Sequence, residues 1–515
     1  MKGLTFIICC VFVGAHSGWA QMPIVQIKDG RIEGTTGKDG TIKIFKGIPF
    51  AAPPVGQLRW QEPQPVKPWS GTKRCVTFGP SPMQASPMPF MFWSSEFLIP
   101  KEPISEDCLY LNVWTGAIRA KEKRPVLVYI YGGGFRSGGT GCPIYDGEAM
   151  AKKGVVFVSI NYRVGVFGFL AHPELTRESP HHSSGNYALL DILAGLRWVQ
   201  ANIKSFGGDP KKVTIAGQSA GAFAVNFLVA SPLAKGLFHR AIAQSGGHVV
   251  TLPLRPHIDL KTAESYGQDF AKGLQCNTLA ELRAKSAEEV LKASGAVTSP
   301  NVDGYVLPES ITSIFKGGRQ NDVPTMVGWN ADDKLLLKAQ SAEVFKEQMK
   351  QRFGPQAQTF HDAYPAGNDA EAAESQGALS RDETFALQDY AWAKFQSKTG
   401  RKKIYIYNFN RELPAYNAET QFGAFHSGEI VYAYNNLHTL DRPWEPVDHQ
   451  LAETMSSYWV NFARTGNPNG PGLTFWPAFQ PDTDEIIILD KNVSSGPLPS
   501  KKQLSFWENY YQLTY

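Results

Sequence analysis

The sequence predicts an α/β protein in which helices flank a central, mostly parallel sheet. In the N-terminal half, short apolar stretches rich in β-branched residues alternate with segments of helical spacing, which is typical of such a sheet. The predicted strands lie at 109–114, 125–131, 155–160, 213–216 and 241–244, and a helix is predicted at 186–203. Strand patterns return at 323–328 and 403–408 after a long region of polar helices, which indicates large insertions in the second half of the chain.

The two ends of the chain extend this pattern. Short β-type runs alternate with glycines between residues 24 and 45, which predicts N-terminal hairpins. Near the C-terminus, helices are predicted at 450–464 and 501–512. The chain contains no internal repeat, low-complexity tract or linker, so residues 21–515 are expected to form one large domain.

Composition and charge describe a globular protein with a large core. Hydrophobic residues make up 43% of the 515 residues and aromatic residues 12%, which excludes a disordered chain. The 51 Lys and Arg residues nearly balance the 47 Asp and Glu residues, and the net charge is +4. The basic cluster at 121–124 is short and precedes an apolar strand, so we expect solvated loop charge there and no nucleic-acid partner.

Residues 1–20 have the features of a secretory signal peptide. Lys2 is followed by an apolar run at 4–15 and then by small residues that end at Ala20. We expect cleavage after Ala20 and export of the mature protein, which would be secreted or periplasmic. A membrane anchor is the alternative, but the run is too short to span a bilayer comfortably, and no later segment is apolar enough to cross one.

Removal of this segment would leave four of the six cysteines, namely Cys75, Cys108, Cys142 and Cys276. Export permits disulfides, and four cysteines allow three complete pairings that the sequence alone does not rank. A bridge between Cys75 and Cys108 would stabilise the fold by roughly 3–4 kcal/mol on the chain-entropy model.

The stretch at 213–228 places a serine between a strand and a helix. Its apolar strand is followed by Gly-Gln-Ser-Ala-Gly at 217–221 and then by small and apolar residues that suit a buried helix. Glycines on both sides of Ser219 let the strand and the helix approach closely, so that the serine hydroxyl is exposed at the tip of the turn. The G-x-S-x-G motif presents a nucleophile in this way. The alternative is an ordinary glycine-rich turn in which the serine caps the helix.

A second glycine-rich segment supplies the hydrogen-bond donors that a serine nucleophile needs. Tyr-Gly-Gly-Gly-Phe at 131–135 directly follows a predicted strand, and consecutive glycines let backbone N–H groups face a pocket. A phosphate-binding loop would instead need a following Lys-Ser/Thr or a G-x-G-x-x-G spacing, and the chain has neither here. Together with the serine turn, the segment predicts an oxyanion loop.

These motifs and four others resemble the type-B carboxylesterase family, which includes bacterial and fungal carboxylesterases, some lipases and the cholinesterases. The matching stretches follow the family's order and are FKGIPFAAPPVGQLRW (45–60), EDCLYLNVW (106–114), YGGGF (131–135), NYRVGVFGFL (161–170), FGGDP (206–210) and GQSAGA (217–222). The resemblance implies an α/β-hydrolase fold with large insertions after the nucleophile turn. It also implies hydrolysis of a small-molecule carboxylic ester through an acyl-enzyme, with no cofactor and no metal, and it leaves the oligomeric state open.

In this family the catalytic triad follows the chain order Ser, acid, His. Of the four histidines after residue 323, only His426 lies in a context, Gly-Ala-Phe-His-Ser-Gly-Glu, that resembles the loop with the family's catalytic base. The family usually has Asp-Glu-Gly where this chain has Asp-Asp-Lys at 332–334. The resemblance therefore implies Ser219 as nucleophile, His426 as base and Asp333 as acid, and Asp332 is the alternative acid.

The resemblance also implies roles for residues outside the triad. The expected oxyanion hole consists of the backbone N–H groups of Gly133, Gly134 and Ala220. The expected disulfide joins Cys75 to Cys108, which leaves Cys142 and Cys276 free or paired with each other.

Two further features bear on the substrate. Cholinesterases have a glutamate directly before the nucleophile, whereas this chain has the neutral Gln218, which disfavours choline esters. The segment at 80–103 is rich in Pro, Met, Phe and Trp, and we expect it to be buried under another element rather than to bind ligand. Trp93 lies before Cys108 in the loop where cholinesterases place a choline-stacking tryptophan, but its spacing does not match. The competing functions are a non-catalytic binding protein and an amide or peptide hydrolase on the same fold.

Overall fold

An eleven-stranded mixed sheet forms the centre of the computed structural model, which describes residues 22–252, 256–295, 299–336 and 338–515. The strands are, in chain order, β1 (Ile24–Ile27), β2 (Gly30–Glu33), β3 (Thr35–Thr36), β4 (Lys43–Pro49), β5 (Thr72–Arg74), β6 (Ser81–Pro82), β7 (Ile104–Ser105), β8 (Tyr110–Thr115), β9 (Arg124–Ile130), β10 (Val156–Ile160), β11 (Gly208–Gln218), β12 (Arg240–Gln244), β13 (Thr325–Asn330), β14 (Ile404–Phe409), β15 (Glu485–Leu489) and β16 (Ser494–Pro497). The large sheet has the order β16-β15-β14-β13-β12-β11-β9-β10-β8-β4-β3.

The middle of this sheet is parallel and its ends are antiparallel. Neighbouring strands from β10 through β9, β11, β12, β13 and β14 to β15 all pair in parallel. Antiparallel pairing begins at β8 on one side and at β16 on the other. β10 is buried along its whole length, as expected for a parallel strand covered on both faces. The predicted α/β fold with a mostly parallel central sheet is confirmed.

Helices cover the sheet and form the insertions between its later strands. They are α1 (Glu148–Lys152), α2 (Gly165–Phe169), α3 (Pro173–Glu178), α4 (Tyr187–Asn202), α5 (Ala220–Ala230), α6 (Leu260–Gly273), α7 (Leu279–Ala284), α8 (Ala287–Ala293), α9 (Ile311–Lys316), α10 (Ala342–Phe353), α11 (Ala357–Ala363), α12 (Asp369–Arg381), α13 (Leu387–Thr399), α14 (Ile430–Ala433), α15 (Pro446–Thr465) and α16 (Lys501–Tyr510). A π-helical segment, Asp382–Ala386, joins α12 to α13. The expected insertions are thus α6 to α9 between β12 and β13, and α10 to α13 between β13 and β14.

The N-terminal region contains the expected hairpins. β1 and β2 pair antiparallel, and β5 extends them to a small three-stranded sheet. β3 and β4 pair antiparallel at the edge of the large sheet. The signal peptide expected at 1–20 lies outside the described residues. Within the part of the chain that the structure describes, no helix combines the length and the apolar composition that a membrane span requires.

The helix α5 is in direct contact with the backbone of β9. Every residue of α5 is buried. A Cβ atom added to Gly221 would lie only 2.0 Å from the carbonyl oxygen of Ile130, so only glycine allows the helix to lie this close to the strand. This contact fixes the start of α5, and with it the preceding residue, at the carboxyl edge of the sheet.

The expected disulfide between Cys75 and Cys108 is wrong, because both cysteines are free and buried, as are Cys142 and Cys276. The carbonyl of Cys75 accepts a hydrogen bond from Lys46 N–H, whereas Leu109, the neighbour of Cys108, pairs in the same way with Phe50. The two cysteines therefore lie beside Lys46 in β4 and beside Phe50 just after it, which are separated by roughly 13 Å of extended chain. A disulfide requires Cα atoms only about 4.4–6.8 Å apart.

Candidate active site

Ser219 occupies the sharp turn between β11 and α5. Its backbone has φ 55° and ψ −125°, a conformation that residues other than glycine rarely adopt. Two hydrogen bonds hold it there: Ser219 N–H donates to the carbonyl of Gln244 (2.9 Å), and the Ser219 carbonyl accepts from Phe223 N–H (2.9 Å). Strained backbone held in this way is common at functional sites. The side chain is consequently presented at the carboxyl edge of the sheet, where parallel α/β proteins bind their ligands.

The glycine-rich loop after β9 lies against Ser219. A Cβ atom at Gly132 would be 3.0 Å from the Cβ atom of Ser219, so the loop backbone is in close contact with the serine. Gly133 and Gly134 have φ values of 113° and 62°, and both are exposed. Within the described residues, the N–H groups of Gly133, Gly134 and Ala220 donate no hydrogen bond. These donors remain available to an anionic oxygen next to Ser219.

His426 and Asp333 form a buried pair on two different loops. His426 lies between β14 and α14, Asp333 follows β13, and the distance from His426 Nδ1 to Asp333 Oδ1 is 2.5 Å. Both side chains are almost completely buried, at 2% and 0% exposed. The second carboxylate oxygen of Asp333 accepts a hydrogen bond from Asn330 N–H (3.0 Å). With the carboxylate as acceptor, Nδ1 bears the proton and Nε2 is the unprotonated nitrogen of the neutral imidazole.

Asp332 contacts the backbone of the loop that contains His426, and not its imidazole. Its carboxylate accepts from Ala424 N–H (2.9 Å), and its own N–H donates to the carbonyl of Ala424 (3.1 Å). The two adjacent aspartates thus have separate contacts. Asp333 orients the ring, whereas Asp332 attaches the loop to the end of β13.

Gln218 and two aromatic residues surround the imidazole of His426. Phe385 stacks on the ring at a centroid distance of 4.5 Å, and Trp93 meets it edge-on at 5.8 Å. Trp93 Nε1 also donates to the hydroxyl of Ser427 (3.2 Å), which ties the apolar 80–103 segment to the histidine loop. This segment is only partly buried, since Phe92 is 7% exposed but Phe90 is 56% exposed.

The amide of Gln218 does not lie on the lone-pair axis of His426 Nε2. Gln218 Nε2 lies 3.2 Å from Nε2 and 3.4 Å from Nδ1 of the ring. A donor on the lone-pair axis of one ring nitrogen would be much farther from the other, so the amide lies to the side of that axis. Within the described residues Ser219 Oγ makes no hydrogen bond to His426. The approach of a hydroxyl to Nε2 is nevertheless not blocked by Gln218, and such bonds often tighten only when substrate is bound.

Sequence reasoning missed two buried polar residues behind this pair, Asn330 and Glu429. Both are 0% exposed, and Asn330 Nδ2 donates to Glu429 Oε2 at 2.7 Å. One signal was present in the sequence, because Glu429 directly precedes an apolar helix and is three residues from His426. In the described part of the chain, no group of three or more His, Cys, Asp or Glu side chains could hold a metal ion.

Comparisons with known proteins identify a family and a fold. A family model described as the carboxylesterase family matches residues 21–507. The chain is 36% identical to a fumonisin B1 esterase of Sphingopyxis macrogoltabida, over 91% of this chain and 86% of that protein. It is 33% identical to the para-nitrobenzyl esterase of Bacillus subtilis, over 94% of this chain and 98% of that protein. A solved structure of a PNB esterase superposes with a TM-score of 0.80 at 32% identity, covering 94% of this chain and 99% of that one.

Proposed function

Because the chain belongs to the carboxylesterase family, we propose that it is an exported serine esterase in which Ser219 forms the acyl-enzyme. The observation that supports this most strongly is the buried contact of 2.5 Å between His426 and Asp333. It pairs an imidazole with a carboxylate, and it leaves Nε2 as the unprotonated nitrogen. The open N–H groups next to Ser219 supply the remaining requirement of acyl transfer.

In the proposed reaction, Ser219 Oγ attacks the carbonyl carbon of the ester while His426 Nε2 takes the hydroxyl proton. Asp333 keeps the imidazole in the Nδ1–H tautomer and stabilises the imidazolium. The oxyanion accepts hydrogen bonds from Gly133, Gly134 and Ala220, and the loss of one such donor typically costs about 2.7–4 kcal/mol in the barrier.

The second half of the reaction regenerates the serine. His426 gives its proton to the alkoxy oxygen as the bond from the carbonyl carbon to that oxygen breaks, and the alcohol leaves. Water then attacks the acyl-enzyme, with His426 again as base, and the carboxylic acid is released.

The surroundings of the imidazole favour neutral esters with an apolar group. Gln218 is uncharged, so the site lacks the carboxylate that would attract a cationic alcohol at this position. Trp93 and Phe385 provide apolar surface next to His426. The relatives named as esterases of fumonisin B1 and of para-nitrobenzyl compounds support ester substrates of more than one shape.

Three compounds with the same butyryl group test the proposed activity: an ester, an anilide and a choline thioester. We expect turnover of p-nitrophenyl butyrate with kcat on the order of 1–10³ s⁻¹ and an initial burst of nitrophenol. The matched p-nitroanilide is expected to react at least about 100-fold more slowly because an amine is the poorer leaving group, and butyrylthiocholine should be disfavoured for lack of an anionic partner. Comparable rates on ester and anilide would instead support an amide hydrolase. Absence of turnover on every compound would favour a non-catalytic binding protein.

Export of the chain is part of the same proposal. The predicted signal peptide ends at Ala20, and the family model begins to match at residue 21. Cleavage there would leave 21–515 as a single esterase domain that is secreted or periplasmic. N-terminal sequencing of the protein from the periplasm or the medium should begin at Gln21, and an uncleaved Met1 would contradict export by this route.

A further inference from the structure

Asn330, at the end of β13, contacts both Asp333 and the loop that contains His426. Its backbone N–H donates to Asp333 Oδ2 (3.0 Å). Its side-chain Nδ2 donates to the carbonyl of Phe425 (2.8 Å), the residue directly before His426. One buried residue therefore links the loop with the acid to the loop with the base, which are far apart in the chain.

Glu429 lies behind Asn330 and extends this link to the nucleophile. Its Oε2 accepts from Asn330 Nδ2 (2.7 Å), and its Oε1 accepts from Gln244 Nε2 (3.1 Å). The backbone carbonyl of Gln244 in turn accepts from Ser219 N–H (2.9 Å). Contacts of Glu429 thus lead to the serine turn on one side and to the acid–base pair on the other.

The two donors around Glu429 favour its ionised form. Each carboxylate oxygen of Glu429 accepts a hydrogen bond from a side-chain amide N–H, and an ionised carboxylate accepts at both oxygens. A glutamine at position 429 would instead place an N–H donor against one of these two donors. The titratable groups that face Glu429 from its own loop and from the neighbouring elements are Asp333, His426, Tyr129, Tyr145, Tyr407 and Tyr434. His426 is the one member of this set that can become positively charged.

Burial and the charge of Asp333 oppose this ionisation. Together they raise the pKa of Glu429 to about 7, although the hydrogen bond from Asn330 and the proximity of His426 act in the opposite direction. The charge of Glu429 and the charge of the imidazolium therefore stabilise each other. This coupling is strongest at the moment when His426 holds the proton of Ser219.

We propose that Asn330 and Glu429 are positioning residues for the Asp333–His426 pair, and that ionised Glu429 is a second carboxylate that stabilises the imidazolium formed during ester hydrolysis. The proposal rests on the function proposed above. Neither residue touches the reacting atoms, and no proton leaves Glu429 during the reaction. Asn330 fixes the relative position of acid and base, while Glu429 adds negative charge behind them.

The Glu429→Gln variant tests the role of the charge through the pH dependence of kcat/KM on p-nitrophenyl butyrate from about pH 5 to pH 9. We expect kcat to fall about 10- to 100-fold with KM within about twofold of wild type. The acid limb of the kcat/KM profile should move to lower pH by roughly 0.5–1 unit, because the variant lacks the negative charge that stabilises the imidazolium. Glu429→Asp keeps the charge, so it should keep the wild-type acid limb even where kcat falls.

Asn330→Ala tests the link separately, since it deletes the side-chain donor but keeps the backbone N–H that bonds Asp333. Its kcat is expected to fall about tenfold or more. Asn408→Ala is the matched control, because Asn408 is a buried asparagine on β14 whose Nδ2 donates to the carbonyl of Trp329 (3.0 Å). Asn408→Ala should keep the wild-type kcat and acid limb even if its melting temperature falls as much as that of Asn330→Ala.

A purely structural role predicts a different result. The inference is overturned if Glu429→Gln lowers only the melting temperature and keeps the wild-type kcat and acid limb. Where Glu429→Gln does not fold, it is overturned if Asn330→Ala lowers only the melting temperature and keeps the wild-type kcat. Failure of the proposed function is distinguishable, because the wild-type enzyme would then neither hydrolyse the ester nor acquire an adduct from an organophosphonate.

Discussion

Ser219→Ala is expected to lower kcat for p-nitrophenyl esters by about a million-fold, the scale observed when the nucleophile of a serine hydrolase is removed. Alanine lacks the oxygen that forms the acyl-enzyme, and it keeps the backbone hydrogen bonds to Gln244 and Phe223 that hold the turn. The residual rate would come from the oxyanion donors alone. The measurement is kcat under saturating ester, together with the mass of the protein after treatment with an organophosphonate.

Ser245→Ala is the matched control for this variant. Ser245 also follows a parallel strand with a positive φ, at 56°, but its buried hydroxyl has no hydrogen-bond partner within the described residues. We expect turnover within about tenfold of wild type and a full organophosphonate adduct. The assignment of Ser219 is overturned if Ser219→Ala retains more than about 1% of wild-type turnover while the melting temperatures match.

Asp333→Asn is expected to lower kcat about 10⁴-fold, and Asp332→Asn less than about tenfold. An asparagine at 333 can donate to His426 Nδ1, which would fix the imidazole in the tautomer with a proton on Nε2 and thereby remove the base. An asparagine at 332 keeps an oxygen that can accept from Ala424 N–H, so the loop stays attached. The pair of variants has the same change in charge at adjacent positions, and each therefore serves as the control of the other. A larger loss at 332 than at 333 would reverse the assignment of the acid.

The strands and helices around Ser219 were predictable because their apolar periodicity is local. The helix predicted at 186–203 is found as Tyr187–Asn202, and the strand predicted at 125–131 as Arg124–Ile130. Caps were harder to anticipate. Within the polar helical region before β13, α7 and α8 are separate helices, because the side chain of Ser286 accepts from Glu289 N–H and starts α8.

Candidates for the nucleophile, the oxyanion loop and the base could be named from short motifs, whereas contacts between distant residues could not. Only the family resemblance favours Asp333 over the adjacent Asp332 in the sequence, because their orientations are set by hydrogen bonds from Asn330 and Ala424. The expected disulfide failed for a similar reason, since the offset of Cys75 and Cys108 along residues 46–50 exists only in the folded chain. Glu429 was missed because its partner Asn330 lies 99 residues away.

The long separation between nucleophile and base also sets the order in which the site is completed during synthesis. Gln218 and His426 meet across 208 residues of chain, so a ribosome that adds about 5–20 residues per second reaches the histidine roughly 10–40 s after the serine. During that interval the nascent polypeptide contains the glycine-rich loop and the serine turn but not His426. Until about four-fifths of the chain has been made, His426 is therefore absent and the proposed site is incomplete.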